Sequence, residues 1–174
     1  MTGTIPPELG DLSPREIWLQ QNELSGTIPS DFGQMTSLLD LRLQQTDITG
    51  TIPDELFGLT NLYRLDLFET NVTGTLSPLI GNLEKLDTLR LRKTNLDGTI
   101  PTEIGLLESL EKLWLDGTKL QGSVPVEFCN TTSVLAQVIA DCLPPDESSP
   151  APVSCECCDI CCDPESGNCK IVRE

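Results

Sequence analysis

Leucines recur along this chain at a fixed interval of 24 residues. Two columns carry the spacing in successive repeats: Leu41, Leu65, Leu89 and Leu113, and then Leu43, Leu67, Leu91 and Leu115. Apolar and polar residues alternate around them, which is the pattern of a short strand with one buried face. Because a single coil cannot bury its own leucines, the pattern predicts stacked coils that share one continuous interior.

The second half of each repeat keeps the same period. Its columns contain Gly26, Gly50, Gly74, Gly98 and Gly122, then Ile28, Ile52, Leu76, Ile100 and Val124, then Pro29, Pro53, Pro101 and Pro125. A glycine at a fixed place predicts positive φ or a close backbone approach, and the prolines end an extended segment. Only the interval from Gly3 to Gly26 is one residue short, with the deletion near Pro14. The array therefore has five full repeats of 23–24 residues and part of another.

Written out, the repeat LxxLxLxxTxLxGTIPxxLGxL resembles the plant-specific leucine-rich repeat. The clearest matches are the segments 24–29, 48–53, 96–101 and 120–125. The resemblance implies an α/β-type solenoid, a right-handed superhelix with a parallel sheet on its concave face, and it assigns residues 1–133 to the repeats. It also implies an extracellular or cell-surface protein that recognises a ligand.

Two departures from the family pattern bear on structure. The column that usually holds Asn contains Asn22 and then Thr46, Thr70, Thr94 and Thr118. A hydroxyl has one donor where an amide has two, so we expect a threonine ladder in place of the amide ladder. In one repeat Ser77 and Pro78 replace the usual order, which predicts an irregular strand at that place.

All eight cysteines lie in the last 46 residues. The chain after the repeats divides into a capping segment 134–142, a Pro/Ser-rich linker 143–152 and a cysteine-rich tail 153–174. They are Cys129, Cys142, Cys155, Cys157, Cys158, Cys161, Cys162 and Cys169. We interpret them as a disulfide framework; a thiolate metal site is the alternative. Cys129 and Cys142 flank the cap, and could bond to each other or to the tail. The dense cysteine ending resembles secreted or surface repeat proteins of diatoms and related stramenopiles.

Charge and composition exclude several functions. The net charge is −16, which argues against nucleic acid and anionic membranes as partners. The chain contains no His, so the commonest general base and metal ligand is missing. No apolar run is long enough to span a bilayer. We expect no cofactor and no metal, and we interpret the chain as not being an enzyme.

The start of the chain resembles the second half of a repeat, so we expect that a signal segment, a membrane span or further repeats could be missing upstream. Two sequons, at Asn71 and Asn130, are expected glycosylation sites.

Outward positions of the strands should form a concave binding surface. The candidate ligand-binding residues are Trp18, Gln20, Arg42, Gln44, Arg64, Asp66, Phe68, Arg90, Arg92, Trp114 and Asp116. Aromatic and arginine side chains are frequent binding anchors. The alternative is that the arginines and aspartates simply pair across strands as a solvated face.

Three functional classes remain. The first is an extracellular recognition module for a peptide, protein or oligosaccharide, and the second is a structural cell-wall or matrix adhesion protein. An enzyme is the third, with Asp66 and Glu69 as a candidate carboxylate pair. We interpret those two residues as surface charges.

Overall fold

The computed structural model describes residues 1–125, 137–142, 151, 153–155, 160–162 and 169–171. Each described repeat contains two short strands followed by a 3-10 helix. The strands are β1 Thr2–Thr4, β2 Glu16–Trp18, β3 Glu23–Thr27, β4 Asp40–Arg42, β5 Asp47–Gly50, β6 Arg64–Asp66, β7 Asn71–Thr75, β8 Thr88–Arg90, β9 Asn95–Thr99, β10 Lys112–Trp114, β11 Lys119–Ser123, β12 Gln137–Ala140, β13 Val153–Ser154, β14 Ile160–Cys162 and β15 Cys169–Ile171. The chain therefore folds as the stacked solenoid that its period predicts.

The even-numbered strands form the concave sheet. Within the described part of the chain its order is β2, β4, β6, β8, β10, β12, β14 and β15. Pairing from β2 to β10 is parallel, and Leu41 lies beside Leu65 and Leu65 beside Leu89. Equivalent residues of successive repeats are therefore direct neighbours, and every outward position forms a row across the sheet.

The odd-numbered strands β1 to β13 form a second parallel sheet. The sequence predicted an extended segment here but did not show that it pairs with its neighbours. The predicted reason for glycine is confirmed: Gly26, Gly50, Gly74 and Gly98 have φ of 76–81°. A Cβ atom at any of these four positions would also lie 2.8–2.9 Å from a threonine methyl group of the preceding coil.

Short 3-10 helices complete the coils at Pro7–Asp11, Ser30–Gln34, Asp54–Gly58, Pro78–Asn82 and Thr102–Leu106. The helical segments of the described repeats are thus single 3-10 turns. After the first helix Leu12 is extended, with ψ of 163°, whereas Met35, Leu59, Leu83 and Leu107 at the same place have ψ of 56–74°. The turn after the first helix is therefore the place where this repeat is one residue shorter than the others.

The core is one continuous cluster along the array, as expected from the aligned leucines. Leu41, Leu65, Leu89 and Leu113 are each fully buried. Burial of each such side chain is worth about 1.5–3 kcal/mol, and it requires the neighbouring coil. Stability therefore comes from the contacts between coils.

The threonine column behaves as predicted. Thr46, Thr70, Thr94 and Thr118 each donate a hydrogen bond of 2.7–2.8 Å to the backbone carbonyl three residues earlier. Asn22 instead donates to two carbonyls, those of Leu19 and Gln20. Each threonine hydroxyl thus makes one hydrogen bond within its own coil, whereas the asparagine amide makes two.

The expectation of an irregular strand at Ser77 is wrong. Strand β7 has five residues, like β9 and β11. Ser77 has φ −67° and ψ 141°, as Pro29 and Pro53 do at the same place. Its hydroxyl accepts a hydrogen bond from the Leu79 amide at 3.4 Å, so serine reproduces the proline conformation and caps the following helix.

The described segments beyond residue 133 continue the solenoid. Strand β12 pairs in parallel with β10, and β14 pairs with β12, while β13 extends the second sheet. Strand β15 runs antiparallel to β14. A disulfide joins Cys142 and Cys161, with Cα atoms 4.9 Å apart, and Cys155 is also disulfide-bonded.

Cys142 was expected to bond either to Cys129 or to the tail. Its disulfide with Cys161 of the tail excludes the bond to Cys129. Cys129, Cys157 and Cys158 lie outside the described residues, as do Asn130 and most of the 143–152 linker.

Candidate ligand-binding site

The concave sheet brings the predicted site residues into rows. Trp18, Arg42, Asp66, Arg90 and Trp114 are successive neighbours on β2, β4, β6, β8 and β10. Two residues further along each coil follow Gln20, Gln44, Phe68, Arg92 and Asp116. Charged and aromatic side chains group into two clusters on this face, one near each end.

The amino-terminal cluster consists of Trp18, Asp40, Arg42 and Tyr63. Asp40 is fully buried, and Arg42 donates to it three times: Nε to Oδ1 at 3.0 Å and to Oδ2 at 3.1 Å, and Nη2 to Oδ2 at 2.7 Å. The Tyr63 hydroxyl donates to the same carboxylate at 3.2 Å. The Arg42 guanidinium stacks 4.6 Å from the centroid of the Trp18 ring. Both carboxylate oxygens are thus paired, and the cluster is closed.

The carboxyl-terminal cluster consists of Asp66, Arg90, Arg92, Trp114 and Asp116. Arg90 Nη1 donates to Asp66 Oδ2 at 3.2 Å, and Arg92 Nε lies 3.3 Å from Asp116 Oδ2. Both guanidinium groups stack on the Trp114 ring, at 4.4 Å and 5.6 Å from its centroid. One indole therefore holds two arginines, each paired with a different aspartate.

Unpaired buried polar atoms concentrate on the concave face. Eight buried side-chain nitrogen or oxygen atoms of the described residues have no hydrogen-bond partner, and seven belong to concave-face residues. They are Gln20 Oε1, Gln44 Oε1, Arg64 Nε, Asp66 Oδ1, Arg90 Nε, Arg92 Nε and Asp116 Oδ1. Buried polar atoms are normally hydrogen-bonded, and exceptions call for an explanation. Because protein atoms cover all seven, a ligand would reach them only if a side chain moved.

Burial sets the electrostatics of the two aspartates in the carboxyl-terminal cluster. The Asp66 side chain is 1% exposed and that of Asp116 is 7% exposed. Desolvation raises the pKa of both carboxyl groups above the usual 3.8, although Arg90, Arg64 and Arg42 oppose the rise at Asp66 and Arg92 opposes it at Asp116. Each therefore protonates more readily than an exposed aspartate.

The interpretation of Asp66 and Glu69 as surface charges is wrong for Asp66, because the arginines of the neighbouring coils cover it. Glu69 instead belongs to an exposed ladder. Its carboxylate accepts from Gln45 at 2.9 Å and from Lys93 at 3.0 Å, which lowers the pKa of Glu69, and Gln45 also accepts from Gln21. All four residues have left-handed φ of 52–58°.

Other predicted site residues are more exposed or make fewer polar contacts. Trp18 is 53% exposed, whereas Phe68 and Trp114 are half-buried. Within the described part of the chain, Arg64 forms no ion pair and no side-chain hydrogen bond. Its Nε atom is buried. The arginines and aspartates do pair, as the alternative interpretation expected, but Asp40, Asp66 and Asp116 are buried and do not form a solvated face.

Sequence reasoning missed several residues of this face. Asp40 and Tyr63 complete the amino-terminal cluster, and Gln137 accepts a hydrogen bond of 3.2 Å from Trp114 Nε1. Asp141 accepts from the Gly117 amide at 2.8 Å. Asp40 was detectable, since it lies two residues before Arg42 and therefore on the same face of β4. Gln137 and Asp141 were hidden because the capping segment lacks the leucine pattern.

The second sheet carries a different surface. Its exposed positions form two lines of small polar residues: Thr2, Ser25, Thr49, Thr73, Asp97 and Gln121, and then Thr4, Thr27, Thr51, Thr75, Thr99 and Ser123. Only Asp97 among these is charged, in a chain of net charge −16. At Gly26, Gly50, Gly74 and Gly98, the missing side chain of the glycine leaves room for the threonine methyl group of the preceding coil. Glu23, Asp47 and Lys119 are exposed at the starts of the same strands, so charged side chains flank the lines of threonines.

Asn71, one of the two expected glycosylation sites, is exposed at the start of β7. No group of His, Cys, Asp and Glu suited to a metal ion occurs among the residues that the structure describes. In the same part of the chain, no helix has the length and apolar character needed to cross a bilayer.

Comparison with known proteins identifies the repeat. The Leucine Rich Repeat family model matches residues 13–35 and 109–131. The ectodomain of the Arabidopsis thaliana receptor kinase GASSHO1/SCHENGEN3, solved with CASPARIAN STRIP INTEGRITY FACTOR 2, is 29% identical with a TM-score of 0.73 over 79% of this chain. The plant peptide hormone receptor RGFR1, solved with RGF2, is 32% identical with a TM-score of 0.74 over 83% of the chain.

A plant ice-binding protein is also similar, at 31% identity and a TM-score of 0.71 over 80% of this chain. The chain spans 17% and 24% of the lengths of the two receptors and 44% of the ice-binding protein. No curated protein sequence matches it significantly.

Proposed function

We propose that this chain, a leucine-rich repeat protein of the plant type, is an extracellular recognition module that binds a peptide, protein or oligosaccharide on its concave face. The observation that carries the proposal is the row of charged and aromatic side chains from Trp18 to Trp114 across that face, in which Trp18 is 53% exposed and Trp114 is half-buried. One of the receptors that it resembles is a plant peptide hormone receptor solved with RGF2, which supports the choice of a ligand-binding module.

The test compares two faces of one molecule. Random linear peptides displayed on phage, together with an oligosaccharide array, are offered to the wild-type chain and to a variant with Trp18→Ala, Phe68→Ala and Trp114→Ala. A matched control carries Thr27→Ala, Thr51→Ala and Thr75→Ala on the second sheet. We expect the concave variant to lose the selected ligands and the control to keep them. Equal retention by all three proteins would exclude the concave face.

Binding to ice is a second candidate function. The specific observation that favours it is the pair of threonine lines on the second sheet, where methyl and hydroxyl groups repeat once per coil with a two-residue offset between paired strands, so that Thr27 lies beside Thr49. Regularly repeated methyl and hydroxyl groups of this kind can hold an ordered layer of water. The similarity to a plant ice-binding protein supports this candidate.

Ice binding is tested by the partition of the protein into a slowly growing ice hemisphere. We expect the wild-type chain to be enriched in ice and the Thr27, Thr51 and Thr75 variant to be excluded, with the concave variant now serving as the control. Exclusion of the wild type would eliminate this candidate and leave the first one untouched.

A further inference from the structure

We propose that a groove beside the second sheet binds an extended, lysine- or arginine-rich segment of a partner protein. The groove has a volume of about 1050 Å³ and lies between the threonine line that starts at Thr4 and the 3-10 helices. We call it the flank groove. None of the concave-face residues lines it, so the inference goes beyond the proposed recognition function and does not depend on it.

The flank groove crosses successive coils of the array. Four coils contribute a threonine to its lining: Thr4, Thr27, Thr51 and Thr75. Neighbouring strands are about 4.8 Å apart, so three strand spacings give the groove a length of at least about 14 Å. An extended chain covers that length with about four or more residues. The flank groove therefore has the length of a site for a short extended segment.

The wall that the 3-10 helices form is acidic. Asp31, Asp54 and Glu55 line it, and Asp54 and Glu55 are exposed while Asp31 is half-buried. Within the described part of the chain, none of the three forms an ion pair. Gln34 Nε2 donates one long hydrogen bond, of 3.4 Å, to Asp31 Oδ1. The carboxylates of this wall are therefore open to a cationic partner.

Two glycines fix the position of the acidic wall. A Cβ atom on Gly10 would lie 2.7 Å from the Cβ atom of Asp31, and one on Gly33 would lie 2.6 Å from that of Glu55. Neighbouring coils are thus in direct contact beneath both carboxylates. Asp31 and Glu55 are held by this packing before a partner arrives, and preorganisation of this kind reduces the entropy that binding costs.

Basic residues do not balance the acidic wall. No Lys or Arg belongs to the lining of the flank groove, and residues 1–60 contain nine acidic residues and two basic ones. One of the two, Arg42, is paired with Asp40 on the concave sheet, and the other, Arg15, precedes β2. The charge on this side of the array attracts a basic segment and repels an acidic one.

The rest of the lining favours a polypeptide over a small cation. Ile28, Ile52 and Pro53 supply apolar surface, on which the methylene stem of a lysine packs while its ammonium group reaches a carboxylate. Ser30 and Thr51 are exposed in the groove, and their hydroxyls form no hydrogen bond within the described part of the chain. A hydroxyl both donates and accepts, so it can bond either group of a peptide main chain. A metal ion or a free polyamine has no peptide group to offer.

The experiment measures binding of a capped, fluorescein-labelled heptapeptide, in which lysine alternates with alanine, by fluorescence anisotropy. The groove variant carries Asp31→Asn, Asp54→Asn and Glu55→Gln. The matched control carries Glu84→Gln, Glu108→Gln and Glu111→Gln, three exposed residues outside the flank groove that change the net charge equally. We expect the groove variant to bind about tenfold more weakly and the control to bind within about twofold of the wild type. Raising the salt concentration from about 50 mM to about 500 mM should weaken wild-type binding about tenfold.

Two further measurements locate the peptide. Ser30→Trp fills the flank groove without changing the charge, and it should weaken binding as much as the groove variant does. Carbodiimide joins a lysine amine to a carboxylate as an amide with loss of water, and mass spectrometry identifies the carboxylate. We expect the cross-links at Asp31, Asp54 or Glu55.

Each contrary result overturns the proposal in a different way. Equal weakening in the groove and control variants, or cross-links spread over exposed carboxylates elsewhere, would reduce binding to an effect of the net charge. Spermidine or calcium ions that compete as well as the peptide would make a small cation the occupant. Loss of binding in the variant with Trp18→Ala, Phe68→Ala and Trp114→Ala would move the peptide to the concave face, and no binding to the wild type would leave the groove without its partner.

Discussion

The two clusters of the concave sheet use the same residue types and reach opposite results. In the amino-terminal cluster, one arginine makes three hydrogen bonds to Asp40, and Tyr63 adds a fourth. In the carboxyl-terminal cluster, two arginines share one tryptophan, and each reaches only one oxygen of its aspartate. The position of the carboxylate explains the difference.

Asp40 and Arg42 lie two residues apart on one strand, where a bidentate pair forms within a single coil. Asp66 and Arg90 lie on neighbouring strands, so their contact must cross between coils. Pairs within a coil can close completely, whereas pairs between coils leave atoms free. The first kind stabilises one coil, and the second kind links neighbouring coils.

The largest expected effect is on stability at the closed cluster. Asp40→Ala leaves the Arg42 guanidinium without its partner, and loss of one member of a buried pair costs about 3–5 kcal/mol. Asp116→Ala should cost much less, because only one ion pair is lost and an unpaired oxygen disappears with it. Urea unfolding of the two variants measures the difference; equal losses would remove the distinction between the clusters.

The second largest expected effect is a difference in stability between variants of the two tryptophans. Trp114→Ala removes stacking on two arginines and the hydrogen bond to Gln137, and we expect a loss of about 2 kcal/mol. Trp18→Ala should lose about 1 kcal/mol or less, since Trp18 is 53% exposed and contacts one guanidinium. Thermal unfolding under identical conditions measures which of the two variants loses more stability. A larger loss for Trp18→Ala would contradict the role of Trp114 in linking β10 to β12.

Acidification should release a concave-face ligand before it unfolds the protein. The pKa of Asp66 and of Asp116 is raised by burial, so both carboxylates protonate above the usual 3.8. Below the raised pKa, binding should weaken up to tenfold per pH unit for each group. For a carboxylate with a raised pKa, the stability contribution is complete below the unfolded pKa and falls as pH rises through the folded one.

The same window therefore does not destabilise the fold through Asp66 or Asp116. Fluorescence binding curves and circular dichroism, recorded together over the acid range, check the order of events. In Asp66→Asn, the part of the pH dependence of binding due to that group should vanish. Unfolding that precedes ligand release would contradict the expectation.

The smallest expected effect is that of Tyr63→Phe. It removes one of four hydrogen bonds to Asp40 and should cost about 1 kcal/mol, with no change in ligand affinity. Denaturant midpoints provide the measurement. A loss as large as that of Asp40→Ala would mean that the hydroxyl, and not Arg42, holds the carboxylate.

Periodicity was enough to predict the fold because each column has one physical role in every coil. The leucines required a shared interior, and the glycines required positive φ and close contact with a neighbouring threonine. The 3-10 geometry and the second sheet were not predictable, because short extended and helical segments lack a period of their own. Ser77 shows the limit at one residue, where a different amino acid adopts the conformation of proline.

The candidate site was predicted only as a set of positions. Rows of residues follow from the 24-residue interval, but burial within a row depends on which long side chains cover which short ones. Asp66 is buried beneath arginines of the neighbouring coils, and nothing in its own repeat indicates this. The hydrogen-bond partner of Trp114 could not be predicted either, since Gln137 lies in the cap and not in a recognisable repeat.

The column of Gln21, Gln45, Glu69 and Lys93 has a consequence for how far such an array can be lengthened. A side chain in the left-handed region costs about 1–2 kcal/mol, and the solenoid meets that cost in four consecutive coils before Gly117 takes the position. Every inserted coil would add one such penalty and one new buried interface. Total stability should thus grow in equal steps with length, and a glycine in this column would make each step larger.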